Sequence, residues 1–199
     1  MKRLLAAMTA ALMVLAFAGA AVAAPKSATL TCSPPADPAH CVINPSGTTA
    51  TITTNGTPGD GGAVYYTKFS GKSFYGQRLS QVTTLSFTTF VGSGESPLGI
   101  DPRWSIPIDT NNDGLTEAFA FVASGTCNNG AGLVDVIHDS TCAIDYLGVT
   151  YANWAAFVAA QPAIAEISLT DNYAFVIADG SGGVAGSWTI GNLKVGSTK

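Results

Sequence analysis

The chain has 199 residues, of which 47% are hydrophobic and 11% are charged, and its formal net charge is −4. So many apolar side chains exclude an intrinsically disordered chain, because they are sufficient to form a core. The acidic balance excludes nucleic acid as a partner, since phosphates require a basic face.

The N-terminus carries the pattern of an export signal. Lys2 and Arg3 precede an uncharged apolar run over residues 4–23, which ends in the small-residue motif Ala21-Val22-Ala23. This pattern predicts a secretory signal peptide over residues 1–23 and a single mature domain over residues 24–199. An uncleaved membrane anchor is the alternative, because about 20 apolar residues can span a bilayer. We favour cleavage, which leaves no membrane insertion and a secreted or periplasmic protein.

Removal of the signal peptide leaves seven basic and thirteen acidic residues, a net charge of −6. All four cysteines remain, and an even number in an exported chain predicts two disulfides. Three pairings are open, and we favour the two between sequence neighbours, Cys32–Cys41 and Cys127–Cys142. Zinc ligation is the alternative, but the spacings are wide and no C-x-x-C motif occurs.

Short β-strands dominate the mature chain. β-Branched and alternating segments separated by Gly, Pro and Asn turns predict strands. The predicted strands lie at residues 28–31, 48–54, 63–69, 82–90, 133–137, 164–170, 173–178 and 187–195, with a hairpin over residues 103–123. In that hairpin Trp104 is in register with Ile106 and Ile108, so we expect it in the core.

One segment has the periodicity of a helix. Residues 150–161 place Tyr151, Trp154 and Phe157 on one face, with Thr150 as the expected cap and Pro162 as the stop. Many strands, Gly-rich turns and one short helix predict an all-β fold. We expect an antiparallel two-sheet β-sandwich that is jelly-roll-like.

Four segments resemble those of a loosely defined set of secreted bacterial β-sandwich proteins, mostly of unassigned function. They are residues 85–87 (LSF), 99–106 (GIDPRWSI), 109–114 (DTNNDG) and 190–195 (IGNLKV). The resemblance covers about residues 82–195 and extends to carbohydrate-binding modules and lectin-like domains. It implies a β-sandwich and export rather than a specific ligand, because a fold does not fix a function.

The turn of the hairpin has the pattern of a cation-binding loop. Asp109, Asn111 and Asp113 place oxygen atoms at alternate positions, and Gly114 permits a sharp turn. Ala120 occupies the twelfth position, where an EF-hand carries a bidentate Glu, so Glu117 would supply that oxygen. The sequence therefore predicts an optional structural calcium. A plain hairpin turn is the alternative, because Asn, Asp and Gly also favour turns.

Exposed aromatic side chains are the second candidate, because their faces stack on the apolar faces of sugar rings. Tyr66 and Tyr75 are the aromatic residues for which the sequence pattern gives the least reason to expect a core position, and they are the predicted ligand-binding residues. Core packing is the alternative for every large aromatic residue.

Catalytic motifs are weak. His138 lies beside Asp139 and Ser140, but adjacent residues in one loop cannot form a triad. Glycoside hydrolysis needs two facing carboxylates, and Glu166 has no evident partner, so we expect it at a solvated strand position. We therefore predict a non-catalytic binding or surface-interaction module for an extracellular glycan. A glycoside hydrolase or polysaccharide lyase on a jelly-roll scaffold, and a structural envelope or matrix protein, are the alternatives.

Overall fold

The computed structural model describes residues 30–32, 40–45, 48–57, 61–66, 74–90, 102–127, 132–168, 174–179 and 185–198. Its strands are β1 Leu30–Cys32, β2 Cys41–Ile43, β3 Thr49–Asn55, β4 Gly61–Tyr66, β5 Val82–Phe90, β6 Arg103–Asp109, β7 Ala118–Ala123, β8 Gly132–Asp135, β9 Ile144–Tyr146, β10 Val149–Tyr151, β11 Glu166–Ile167, β12 Phe175–Asp179 and β13 Ala185–Ser197. Helix α1 is Trp154–Ala160, and Leu79–Gln81 and Ser124–Thr126 form short 3₁₀ turns. The predicted signal peptide lies outside the described residues.

The strands form two antiparallel sheets. The smaller sheet has the order β2-β3-β13-β5-β8, and the larger has the order β1-β4-β12-β6-β7-β9-β10, with β11 beside β6. Four antiparallel pairs are nested along the chain and alternate between the sheets: β3 with β13, β4 with β12, β5 with β8, and β6 with β7. One long hairpin wound in this way has jelly-roll connectivity. The predicted two-sheet sandwich is confirmed.

The core lies between the inner faces of the two sheets. Phe87 of the smaller sheet meets Trp104 of the larger sheet edge to face, with ring centroids 5.9 Å apart. Trp104 and Trp188 are fully buried, which confirms the core position predicted for Trp104. The Trp188 ring lies over Gly186, where an added Cβ atom would stand 2.6 Å from it. That glycine is therefore required by close packing rather than by a turn.

Both predicted disulfides are present, between Cys32 and Cys41 and between Cys127 and Cys142. The first joins β1 of the larger sheet to β2 of the smaller sheet, and so links the two layers at one edge. Two disulfides are typical of a chain that folds in an oxidising compartment. Among the described residues, no helix is sufficiently long and apolar to cross a membrane.

The predicted helix is shorter than expected. Its cap is Asn153, whose side chain accepts a hydrogen bond from the Ala156 N–H (2.9 Å), rather than Thr150. Thr150 lies instead in β10, which pairs with β9 across the two-residue turn Leu147–Gly148. Both turn residues have positive φ angles, 49° and 78°, as tight hairpins require. This hairpin takes the first predicted helical residues into the sheet.

Candidate metal site and aromatic face

The hairpin turn wraps around the carboxylate of its first residue. Asp109, the last residue of β6, is fully buried. Its Oδ1 accepts hydrogen bonds from the backbone N–H groups of Asn111 (3.1 Å) and Asn112 (2.6 Å), and its Oδ2 accepts one from Gly114 (2.7 Å). Asn112 and Gly114 have positive φ angles of 61° and 87°, which turn the loop back on itself. We refer to residues 109–117 as the carboxylate loop.

The carboxylate loop brings three acidic side chains together. Asp109, Asp113 and Glu117 each offer one oxygen, and these oxygens all lie within 4.8 Å of one another. Three carboxylate oxygens at this spacing could hold a metal ion. Asn111, the remaining predicted ligand, uses its Oδ1 to accept the Asp113 N–H at 2.9 Å.

Backbone hydrogen bonds hold the two exposed carboxylates in place. Glu117 Oε2 accepts hydrogen bonds from the Thr110 N–H (2.6 Å) and hydroxyl (3.3 Å), which closes the two ends of the loop on each other. Asp113 Oδ1 accepts the Leu115 N–H at 2.9 Å. A carboxylate oxygen has more than one acceptor position, so these bonds leave capacity for a cation.

A fourth carboxylate lies against the first. Glu166 of β11 is the direct antiparallel partner of Asp109, so both side chains stand on the same face of the sheet. Glu166 is only 6% exposed, and among the described residues its Oε1 has no hydrogen-bond partner. The solvated position expected for Glu166 is therefore wrong. The physical reason is that β11 lies beneath the carboxylate loop, where the Ser168 hydroxyl donates to the Gly114 carbonyl at 3.4 Å.

The electrostatics of Glu166 follow from this placement. Burial raises the pKa of the Glu166 carboxyl above its ordinary value, and the negative charge of Asp109 raises it further. The positive charge of Arg78, whose backbone bridges to Glu166, acts in the opposite direction. No local sequence pattern joins Glu166 to Asp109, because their register depends on the order of strands in the sheet.

The outer face of the larger sheet carries a group of aromatic rings. Alternation along β7 directs Ala120 and Val122 into the core and leaves Phe119 and Phe121 on the other side. Phe121 is 38% exposed and stacks on Phe119 with centroids 6.4 Å apart. Phe175 of β12 lies 5.6 Å from Phe119. The Arg103 guanidinium carbon lies 5.9 Å from the centre of the Phe121 ring, within cation–π range.

We call Phe119, Phe121, Phe175 and Arg103 the aromatic face. The ligand-binding rings predicted from the sequence were tyrosines and tryptophans, and this group of phenylalanines was not predicted. The available signal was the F-A-F repeat of β7, in which small Ala120 faces the core and the larger rings face outward.

The two predicted ligand-binding tyrosines lie elsewhere. Tyr66 is in β4 opposite Leu30 of β1, and its side chain lies outside the described part of the structure. Tyr75 packs partly against the core, and its hydroxyl accepts the Ala174 N–H at 3.1 Å. Their role in binding stays a prediction. His138 pairs with Asp135, with Nδ1 3.0 Å from a carboxylate oxygen, and its neighbour Asp139 does not take part.

Comparisons with protein-family models, with curated proteins and with solved structures return no match. The resemblance to secreted bacterial β-sandwich proteins is therefore not tested by them. Because a fold does not fix a function, the chemistry of the two sites decides what this protein can bind.

Proposed function

We infer that this protein is an exported, non-catalytic binding module, secreted or periplasmic, that holds an extracellular glycan on the aromatic face. The observation that carries this proposal is the exposed Phe121 ring, stacked on Phe119 and placed beside Arg103. Aromatic faces pack well against the apolar C–H faces of sugar rings. A guanidinium has five N–H donors and can hydrogen-bond to the sugar hydroxyls.

The position of the rings suits recognition more than folding. A ring that served only the core would be enclosed between the sheets, as Trp104 and Trp188 are. The aromatic face lies instead on the outer side of a continuous sheet, where strands β6, β7 and β12 fix the spacing of its rings through their register. A rigid platform of this kind loses little conformational entropy on binding.

The absence of catalysis is part of the proposal. A glycosidase needs an acid and a second carboxylate on opposite sides of the scissile bond, both accessible to substrate. The paired carboxylates Asp109 and Glu166 are buried beneath the carboxylate loop. This favours a binding module over a hydrolase or lyase. The aromatic face likewise favours binding over a purely structural envelope or matrix role.

Glycan-array binding of the mature chain tests the proposal, followed by titration of the best ligand. We expect Phe121→Ala to weaken binding about tenfold or more, the effect of about 1.4 kcal/mol lost at a central contact. The matched control is Leu133→Ala. Leu133 lies on the smaller sheet and is 61% exposed, more than Phe121, and its variant should bind the glycan like the wild type. No binding on the array, or equal losses in the two variants, would rule out the aromatic face.

A further inference from the structure

Two polar side chains stand beside the aromatic face, on the strands that lead to the edge of the larger sheet. Asp145 of β9 is the direct partner of Phe121, and Thr150 of β10 is the direct partner of Asp145. Residues paired across antiparallel strands lie on the same face of a sheet. The adjacent pair, Ala120 and Tyr146, is buried, whereas all three members of the row are exposed. A ring, a carboxylate and a hydroxyl therefore stand side by side on three neighbouring strands.

The Asp145 carboxylate has no role in the local backbone. Asp109, Asp113 and Asp139 each accept hydrogen bonds from backbone N–H groups of their own turns. In the part of the chain that the structure describes, the side chain of Asp145 has one partner, the Thr150 hydroxyl, which donates to its Oδ1 at 2.5 Å. An ionised carboxylate has about four acceptor positions. The bond from Thr150 therefore orients the carboxylate and leaves most of these positions open to a ligand.

Groups of opposite hydrogen-bonding character flank the Phe121 ring. Arg103 comes from β6 and Asp145 from β9, the two strands on either side of β7. The Arg103 guanidinium, 5.9 Å from the ring centre, carries only donors, and the Asp145 carboxylate carries only acceptors. A ligand stacked on Phe121 therefore meets a donor towards β6 and an acceptor towards β9.

We propose that the aromatic face binds a neutral glycan, whose hydroxyl groups donate to the Asp145 carboxylate while a sugar ring stacks on Phe121. This inference rests on the proposed function and names the class of glycan. A sugar hydroxyl both donates and accepts, so a neutral sugar satisfies Asp145 and Arg103 together.

Charge excludes the two other classes of glycan. An acidic sugar would bring a negative charge against Asp145, and an amino sugar would bring a positive charge against Arg103. Like charges in contact are strongly unfavourable in recognition. The net charge of the chain, −4, acts in the same direction against acidic glycans.

Isothermal titration with matched oligosaccharides tests the class. The probes are oligomers of glucose, galactose and mannose, set against oligomers of glucuronic acid, galacturonic acid and glucosamine. We expect the best neutral oligomer to bind about tenfold or more tightly than its acidic or amino counterpart. Asp145→Asn keeps the side-chain shape and should weaken neutral binding about fivefold, because hydrogen bonds to a charged group are about twice as strong as neutral ones.

The matched control is Asp139→Asn. Asp139 is also exposed and also accepts a threonine hydroxyl, from Thr141 at 2.7 Å, but it lies in the loop between β8 and β9. This variant loses the same charge and should bind like the wild type. The melting temperatures of both variants show whether the fold is retained.

The outcomes separate this inference from the proposed function. Binding that is lost in Phe121→Ala but unchanged in Asp145→Asn would overturn the role of Asp145 and leave the aromatic face in place. Tighter binding of an acidic or amino oligomer would overturn the neutral class alone. Absence of binding to every oligomer and every glycan on the array would overturn both proposals.

Discussion

Replacing Asp109 by alanine removes the carboxylate around which the hairpin turn is built. Three backbone N–H groups donate to it, from Asn111, Asn112 and Gly114. A hydrogen bond to a charged group contributes about 1.5 kcal/mol at the low end of its range, so the three together contribute about 4.5 kcal/mol. Removing a like charge beside Glu166 returns about 1 kcal/mol. The expected net loss is about 3.5 kcal/mol.

Urea unfolding, followed by tryptophan fluorescence, measures this loss in the free energy of unfolding. The buffer contains a chelator, so that no bound cation contributes. In thermal unfolding, at about 2–4 °C per kcal/mol for a domain of this size, the melting temperature should fall by about 7–14 °C. Asp113→Ala is the control, because its carboxylate accepts one exposed hydrogen bond, from Leu115, and should cost about 0.5 kcal/mol. If Asp109→Ala were no more destabilised than Asp113→Ala, Asp109 would not organise the turn.

Three further predictions concern the scaffold. The double variant Cys127→Ala/Cys142→Ala should lose about 3 kcal/mol in urea unfolding, because the bond closes a loop with a sequence separation of 15; an unchanged midpoint would contradict this. Gly186→Ala should lower the melting temperature and alter the Trp188 fluorescence, since the new Cβ atom would overlap the indole. In chelator, Glu166→Gln should raise the melting temperature at pH 7. Because the pKa of the Glu166 carboxyl is raised in the folded protein, the wild type loses stability as the pH rises through that folded-state pKa. The gain from the Gln substitution should therefore vanish below about pH 4, where the wild-type carboxyl is protonated in both the folded and the unfolded state. A gain independent of pH would show that ionisation is not its cause.

Much of the fold follows from local patterns. Period-two alternation predicted β5 at its observed bounds and placed Trp104 in the core. The turn residues between β6 and β7 predicted their hairpin, and the spacing of the cysteines predicted both disulfides. Each of these features depends on residues close together in sequence, so composition and spacing carry the necessary information.

The shortest strands were not predicted from the sequence, and the reason is physical. The strands β2, β9 and β10 have three residues each, too few to display a period of two. The expected helix cap at Thr150 failed because β10 competes for that residue, and the sheet pairing with β9 prevails over local helix propensity.

The sequence by itself determined the sandwich, the oxidised cysteines and the acidic turn with Asp109, because alternation, loop closure and turn chemistry act between near neighbours in the chain. Only the tertiary structure decided that Glu166 lies against Asp109 and that Phe175 joins Phe119 on the outer face. Those neighbours lie on strands that are distant in sequence. Their contact depends on the order and register of the whole sheet, which are set when the two layers bury their common core.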